Sequence, residues 1–379
     1  MQIDRDVLLK AITLPVSVVD QKAYPPILNN VLITISNDEM IVYGTDSETD
    51  IITKTKLNSL LPEDIDIAAV VNAKKLYDIV KSLKEGSTVK LSYDDDSHKL
   101  KLSSGKSKFN LVSESVNDFP SQPQREDVHI SINCKTFYEM LNFVTASMPS
   151  NDTRFYLNGV YIVFIENDES NTYRYDCVAT DGFRLSLASS PLETGIDSKL
   201  PSVIIPQKAV HSINKLLAAR NDDFELSITN DSISMLIDNT RITSKIIDGK
   251  YPTYTNIILQ PKFEIKIQRQ KLLKYIQQAG VIGTLNLGKE ITLYIKDDVI
   301  KISCDSSNHN EKAEIIADVI EKCDLPEFDF DIVVNYVFLS ELLKSFTSEI
   351  VTFGLIDKVS SISIFDDTNR KAILMPIIK

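Results

Sequence analysis

The chain has 379 residues, of which 43% are hydrophobic and 25% are charged, and its formal net charge at pH 7 is −12. This composition is that of a globular protein, and it excludes a glycine-rich loop protein and a disordered tail. No apolar run approaches the roughly 18 residues of a membrane span, and the N-terminal residues show no export signal. We therefore expect a cytoplasmic protein of two or three domains.

The first predicted elements are a short strand and an amphipathic helix, and this pair occurs three times. It is written QIDRDVLLKAI from residue 2, ISINCKTFYEML from residue 130 and IKIQRQKLLKYI from residue 265. Each segment alternates with a period of two and then changes to helical spacing. A strand with alternating apolar residues, such as LITI at 32–35, follows each time. After it comes a strand that ends in a polar turn.

A second unit follows each of these segments. It is written VVNAKKLYDIVKSL at 70–83, IIPQKAVHSINKLL at 204–217 and VVNYVFLSELLKSF at 333–346, and hairpins with period-two alternation come after it. A two-part pattern that recurs three times predicts three copies of one domain of about 125 residues. We place these domains at 1–126, 127–257 and 258–379. The predicted fold class is α+β, with two helices per domain packed on antiparallel β-sheets.

The predicted helices are basic, although the whole chain is acidic. They contain 14 Lys and Arg residues but only 6 Asp and Glu residues, so they carry +8 and the remainder carries −20. Their predicted ranges are 4–13, 72–85, 133–147, 206–220, 268–279 and 335–347. Lysines commonly decorate the solvent face of any single helix, but this segregation over six equivalent helices favours a surface for a polyanion, contacted without reading bases.

No catalytic constellation is evident. The chain lacks the G-x-S-x-G motif, and SSGKS at 103–107 lacks the first glycine of a phosphate-binding loop. The run Asp94-Asp95-Asp96 lies between two alternating strands, which favours a solvated hairpin turn over a metal site. The four histidines are isolated. The four cysteines (Cys134, Cys177, Cys304 and Cys323) form no C-x-x-C pair, which predicts buried thiols and no disulfides.

One turn, VATDGFRLSLASSPLE at 178–193, combines a hairpin signal with an arginine. Asp181-Gly182 supplies the positive φ angle of a tight turn. The same turn belongs to a series of motifs: RFYLNGV (154–160), VATDGFRL (178–185), SKIIDGKYPTY (244–254), DKVSSISI (357–364) and LMPIIK (374–379). With these five motifs in order and three repeated domains, the chain resembles over its whole length the β sliding clamp family, the processivity subunit of the bacterial replicative DNA polymerase.

The resemblance implies a head-to-tail homodimer that closes into a six-domain ring around double-stranded DNA, with the helices lining the hole. It implies a binding protein with no enzymatic activity, cofactor or metal. The implied partners, besides DNA, are the replicative polymerase, the clamp loader, and other polymerases and repair proteins that bind through short linear peptides.

By resemblance, the turn helps to build the pocket for these peptides, a groove of aliphatic and proline surface for the apolar anchors of an extended peptide. Two arginines, Arg154 and Arg184, would frame the groove and hydrogen-bond peptide carbonyls or a carboxylate. Asp181 is expected only to fix the turn. The implied pocket residues are Arg154, Leu157, Thr180, Gly182, Phe183, Arg184, Leu185, Pro252, Ile257, Asn335, Phe338, Val359, Ser361, Ile373, Leu374, Met375 and Pro376.

Several pocket positions depart from the family pattern. Phe183 stands where the family often has histidine, Phe338 where tyrosine is common, and Asn256 where arginine can occur. Each change removes polarity or charge, so we expect a more apolar peptide preference. The chain also ends in Ile377-Ile378-Lys379 and not in Arg-Leu.

For DNA, the resemblance points to Lys22, Lys74 and Asn151. The helix charges alone add the lysines Lys75, Lys81, Lys208, Lys215, Lys271 and Lys274. For the dimer interface, the resemblance points to Phe109 and Leu111 on a first-domain edge strand, with Val281 and Ile282 as their partners.

Two other functions are compatible with parts of the sequence. A metal-dependent nuclease or phosphoesterase would use Asp94, Asp96 and Asp181, and it would require a divalent metal. A monomeric scaffold would bind peptides but not DNA, and charge reversals such as Lys208→Glu would then have no effect.

Overall fold

The computed structural model describes the chain except for residues 37, 58–65, 123–129, 168–171, 193–199, 284–288, 297–298, 306–310, 319–320, 323–329 and 379. The predicted boundary at 126 and 127 lies outside the described residues, as do Cys323, His129 and His309. The described thiols, Cys134, Cys177 and Cys304, are free and buried, as predicted.

The described residues form six α-helices, one for each helix predicted. They are α1 (Arg5–Val18), α2 (Ala73–Ser82), α3 (Cys134–Thr145), α4 (Gln207–Leu217), α5 (Arg269–Gly283) and α6 (Tyr336–Ser345). Four 3₁₀ helices lie at Pro26–Asn29, Val116–Asp118, Phe155–Leu157 and Tyr254–Ile257. The predicted end of α1 was wrong, because the helix continues through Pro15 to Val18. The side chains of Pro15 and Val18 in this last turn are buried, and their packing holds the turn in place.

None of these six helices has the length and apolar character that crossing a membrane requires.

The chain divides into two compact units. The first comprises residues 1–135 and 208–246, and the second comprises residues 136–207 and 247–379. Each unit contains one long sheet and one four-stranded sheet, and all strand pairs in them are antiparallel. The long sheets join segments that are distant in sequence.

The first unit has an eight-stranded and a four-stranded sheet. In spatial order the longer sheet is β5 (Ile67–Asn72), β2 (Asn30–Ser36), β3 (Glu39–Thr45), β4 (Thr49–Lys56), β16 (Thr240–Lys245), β15 (Ser232–Ile237), β14 (Asp223–Ile228) and β9 (Ile130–Asn133). The shorter is β1 (Gln2–Asp4), β6 (Thr88–Asp94), β7 (Lys99–Ser104) and β8 (Ser107–Val112). The core of the first unit includes Leu8 and Ile12 of α1 and Leu76 and Val80 of α2. These side chains recur at helical spacing and pack against inward strand residues such as Val31.

The second unit has a nine-stranded and a four-stranded sheet. The longer is β13 (Val203–Pro206), β10 (Gly159–Asn167), β11 (Thr172–Thr180), β12 (Arg184–Leu192), β25 (Arg370–Leu374), β24 (Ile362–Phe365), β23 (Ile350–Leu355), β17 (Phe263–Gln268) and β21 (Glu321–Lys322). The shorter is β20 (Lys312–Asp318), β19 (Val299–Asp305), β18 (Glu290–Lys296) and β22 (Phe330–Asn335). Pairing of β12 with β25 sets Arg184 opposite Leu374, so the predicted turn and the C-terminal motif become neighbours.

Candidate functional site

The turn between β11 and β12 is a hairpin, as predicted, and its own side chains fix it. Gly182 has a φ of +89°, which the glycine tolerates because it has no Cβ. The Thr180 hydroxyl donates to the Arg184 carbonyl (2.6 Å) and accepts from the Gly182 amide (3.1 Å). Asp181 Oδ1 accepts from the amides of Phe183 (2.9 Å) and Arg184 (3.0 Å). Asp181 therefore has the turn-fixing role expected of it.

Arg184 is buried, with 9% of its surface exposed, and its charge is balanced inside the unit. Its Nε donates to Asp181 Oδ2 at 3.0 Å, and its Nη1 donates to Glu341 Oε2 at 2.5 Å. The guanidinium carbon lies 4.4 Å from the centre of the Phe338 ring, which is cation–π geometry. Since two carboxylates and a ring already surround it, Arg184 supports the Phe338 ring and presents little free charge.

Arg154 is exposed, but it is also paired. Its Nε and Nη2 donate to the two carboxylate oxygens of Asp152 at 2.9 and 2.7 Å, and Nη2 also donates to the Asp181 carbonyl at 2.8 Å. Hydrogen bonds from the Arg154 side chain and backbone lower the pKa of Asp152 to about 2. Arg154 thus ties the 3₁₀ segment that follows it to the β11–β12 turn.

Some apolar residues of the predicted pocket are exposed, and others are buried beneath them. Phe183 is 62% exposed, and its ring stacks on Phe338 with centroids 6.2 Å apart and planes 27° apart. The Met375 amide donates to the Phe183 carbonyl at 2.9 Å, so the C-terminal strand continues alongside the turn. The exposed apolar members of the predicted set are Phe183, Pro252, Ile257, Val359 and Met375.

The remaining predicted pocket residues lie beneath this surface or hold it. Leu157, Leu185 and Ile373 belong to one buried cluster with Tyr251 and Tyr254. Leu374 is buried, whereas Ser361 and Pro376 are half-buried. Asn335 caps α6, because its Oδ1 accepts from the amides of Val337 (2.9 Å) and Phe338 (3.3 Å).

Sequence reasoning missed two carboxylates, Asp152 and Glu341, that balance the arginines. Asp152 stands two residues before Arg154, so a local signal existed. Glu341 is 157 residues from Arg184 and lies one turn beyond Phe338 on α6, which no local pattern reveals.

A second copy of the turn lies in the first unit, between β3 and β4. The Thr45 hydroxyl accepts from the Ser47 amide (2.9 Å), and Asp46 Oδ1 accepts from the amides of Glu48 (3.0 Å) and Thr49 (2.7 Å). The Lys245 amide donates to the Glu48 carbonyl at 2.8 Å, as Met375 does to Phe183. The backbone arrangement is thus repeated, but charged residues replace the apolar pair.

All nine predicted DNA-binding side chains are exposed. Three lie on α2 (Lys74, Lys75 and Lys81), two on α4 (Lys208 and Lys215), two on α5 (Lys271 and Lys274), and two in loops (Lys22 and Asn151). Three of the lysines form ion pairs: Lys74 with Asp78 at 3.0 Å, Lys208 with Asp46, and Lys271 with Asp318 at 3.3 Å.

The predicted dimer-interface residues differ in accessibility. Strand β8 is an edge strand, as predicted. Phe109 on it is half-buried, but Leu111 belongs to the core of the first unit. Val281, near the end of α5, is 67% exposed, and Ile282 beside it is half-buried.

Of the three carboxylates of the nuclease alternative, Asp94 and Asp181 are engaged elsewhere, and Asp96 is exposed in the β6–β7 hairpin. Asp94 forms an ion pair with Lys101, which lowers the pKa of Asp94 to about 2, and Asp181 holds the β11–β12 turn and Arg184. Within the described ranges, no three His, Cys, Asp or Glu side chains are placed to hold a metal ion.

Comparison with known proteins gives matches along the chain. The models of the N-terminal, central and C-terminal domains of the DNA polymerase III beta subunit match residues 1–123, 131–253 and 260–377. The beta sliding clamp of Haemophilus influenzae is 27% identical over 378 residues, which are 99% of this chain and 98% of that protein.

Solved structures are similar over the same extent. The DNA polymerase III subunit beta of Pseudomonas aeruginosa has a TM-score of 0.90 at 26% identity, covering 100% of both chains. A sliding clamp from Pseudomonas aeruginosa bound to griselimycin has a TM-score of 0.91 at 25% identity, covering 100% of this chain and 99% of that one. The chain belongs to the DNA polymerase III beta subunit family, the family of the bacterial β sliding clamps.

Proposed function

We propose that this sliding clamp works as a head-to-tail ring of two copies that encircles duplex DNA and tethers the replicative polymerase to it. As a member of its family the chain is a processivity factor and not an enzyme. The observation that carries the proposal is the segregation of charge: exposed lysines occur on helices of all three domains, whereas the rest of the chain is acidic. Such lysines attract phosphate without reading sequence, and a closed ring needs no tighter contact.

The proposed domains are 1–126, 127–257 and 258–379, and the three family matches support boundaries in these regions. The nine DNA-binding residues keep their proposed role, and Phe109, Leu111, Val281 and Ile282 remain the proposed dimer contacts. The proposed location is the cytoplasm.

The proposed tether is the surface around Phe183 and Phe338. Peptide side chains would pack on the exposed apolar residues, while the peptide backbone lies along the turn that Arg154 braces. A related clamp that holds griselimycin supports ligand binding by members of this fold. The same surface would receive the clamp loader, other polymerases and repair proteins through their short linear peptides.

The decisive experiment measures retention on DNA. The protein is loaded by its clamp loader onto nicked circles, and half of the circles are then cut once. A topologically closed ring stays on circles and runs off cut molecules. Equal retention on both would contradict the proposal.

A second experiment separates the clamp from a monomeric peptide-binding scaffold. Charge reversals at Lys75, Lys215 and Lys274 should shorten retention on circles and should leave peptide binding unchanged. If retention is insensitive to all three reversals, the scaffold is the better description.

A further inference from the structure

Each of the three domains presents one predicted DNA-binding lysine that is held by a carboxylate. Asp78 lies one turn after Lys74 on α2, with Nζ and Oδ2 3.0 Å apart. Asp318, at the end of β20, lies 3.3 Å from Lys271 on α5. Asp46 of the β3–β4 turn pairs with Lys208 on α4.

The carboxylates of the three pairs lie on different kinds of element, but all three lysines are accessible to solvent. One carboxylate lies on the same helix as its lysine, one on a strand and one in a turn. The lysine side chains are 64%, 49% and 43% exposed for Lys74, Lys208 and Lys271. Asp78 and Asp318 are exposed as well, whereas the Asp46 side chain is 8% exposed. An exposed ion pair is weak and breaks readily. In all three pairs the lysine is open to solvent, so its ammonium is available to another anion.

From these contacts we propose that Asp46, Asp78 and Asp318 are positioning residues that compete with DNA phosphates for the lysines and thereby keep the clamp mobile on DNA. The inference depends on the proposed function. A lysine that leaves one phosphate is taken up by its carboxylate before it binds the next phosphate. The carboxylate therefore lowers the free energy of the released state and weakens each phosphate contact.

Asparagine substitutions test this competition, because asparagine removes the negative charge and keeps the shape. Asp46→Asn also keeps an oxygen that accepts from the Glu48 and Thr49 amides, which preserves the turn. The matched control is Asp95→Asn, which makes the same change in net charge at an exposed position of the β6–β7 hairpin.

The measurement is the one-dimensional diffusion coefficient of single loaded clamps on stretched DNA. Asp78→Asn and Asp318→Asn should each diffuse more slowly by about 1.4- to 5-fold, the factor that corresponds to one exposed ion pair. Asp46→Asn should also diffuse more slowly than the parent protein. Raising the salt concentration should reduce the difference, because phosphate contacts weaken with salt. Asp95→Asn should diffuse like the parent protein.

Unchanged diffusion of all three variants would overturn the inference, and so would equal slowing by Asp95→Asn, which would show an effect of net charge alone. If Asp46→Asn does not fold, Asp78→Asn still tests the competition, since both Lys74 and Asp78 are exposed. Retention on uncut circles is measured in parallel. Loss of topological retention in the parent protein would refute the proposed function, whereas normal retention with unchanged diffusion refutes only the competition.

Discussion

Arg5 and Arg269 make the same contact in different domains: each begins the first helix of its domain and binds the end of the second. Arg5 Nε and Nη2 donate to the carbonyls of Val80 (3.0 Å) and Lys81 (2.7 Å) at the end of α2. Arg269 Nη1 and Nε donate to the carbonyls of Leu343 (3.2 Å) and Ser348 (2.6 Å) at and beyond the end of α6. Both arginines are buried. A cation there donates to carbonyls at or just beyond the helix end and complements the helix dipole.

Replacing either arginine by methionine should lower the free energy of unfolding by about 2–4 kcal/mol, because one buried and one partly buried carbonyl lose charged donors. Urea unfolding followed by circular dichroism measures this change. The control is Lys10→Met, which removes an exposed cation from α1 and should cost much less. Equal costs for the buried arginines and the exposed lysine would contradict the capping role.

Gly182→Ala should weaken peptide binding and destabilise the turn by about 1–2 kcal/mol, because the positive φ disfavours a Cβ. The added Cβ would also lie 2.9 Å from Arg154 Nη1, so Arg154 must move. Gly105→Ala is the control, since Gly105 has a φ of +56° and no atom within 4 Å of the added Cβ. Peptide affinity should fall only for Gly182→Ala; a loss with both variants would exclude a local effect.

The Asp152–Arg154 pair should be insensitive to pH across the neutral range. The folded protein lowers the pKa of Asp152 from 3.8 to about 2. Its contribution to stability is therefore complete above about pH 4 and is lost as the pH falls from 4 through 2. Carboxyl NMR of Asp152 measures this titration. In Arg154→Met the pKa should return towards 3.8, and a pKa that stays near 2 would show that Arg154 is not its cause.

Phe183→Ala should weaken binding of an extended peptide with apolar anchors by about 5- to 30-fold, in the range for an exposed aromatic contact. Fluorescence anisotropy with a labelled peptide measures the affinity. Tyr24→Ala removes another exposed aromatic, which lies in the other compact unit, and should leave the affinity unchanged. An unchanged peptide affinity of Phe183→Ala would show that the peptide binds at another surface.

Repeated local patterns predicted the six helices and the β11–β12 turn because helical periodicity and the Asp-Gly signal are properties of short segments. The end of α1 was misplaced because tertiary packing of Val18 outweighs the helix-breaking tendency of Pro15. The ion pair between Arg184 and Glu341 could not be predicted in the same way. Glu341 is distant in sequence from Arg184, and only the pairing of β12 with β25 and the position of α6 bring the two together.

The polar copy of the turn in the first unit differs from the proposed peptide site at the two positions where a peptide would pack. Glu48 and Lys245 there occupy the places of Phe183 and Met375, so charged side chains replace an apolar pair on the same backbone arrangement. Under the proposed function, a client peptide with apolar anchors would then choose the β11–β12 turn over the β3–β4 turn of the same chain. The repeated fold would supply two similar turns, and the side chains on them would decide which one a client uses.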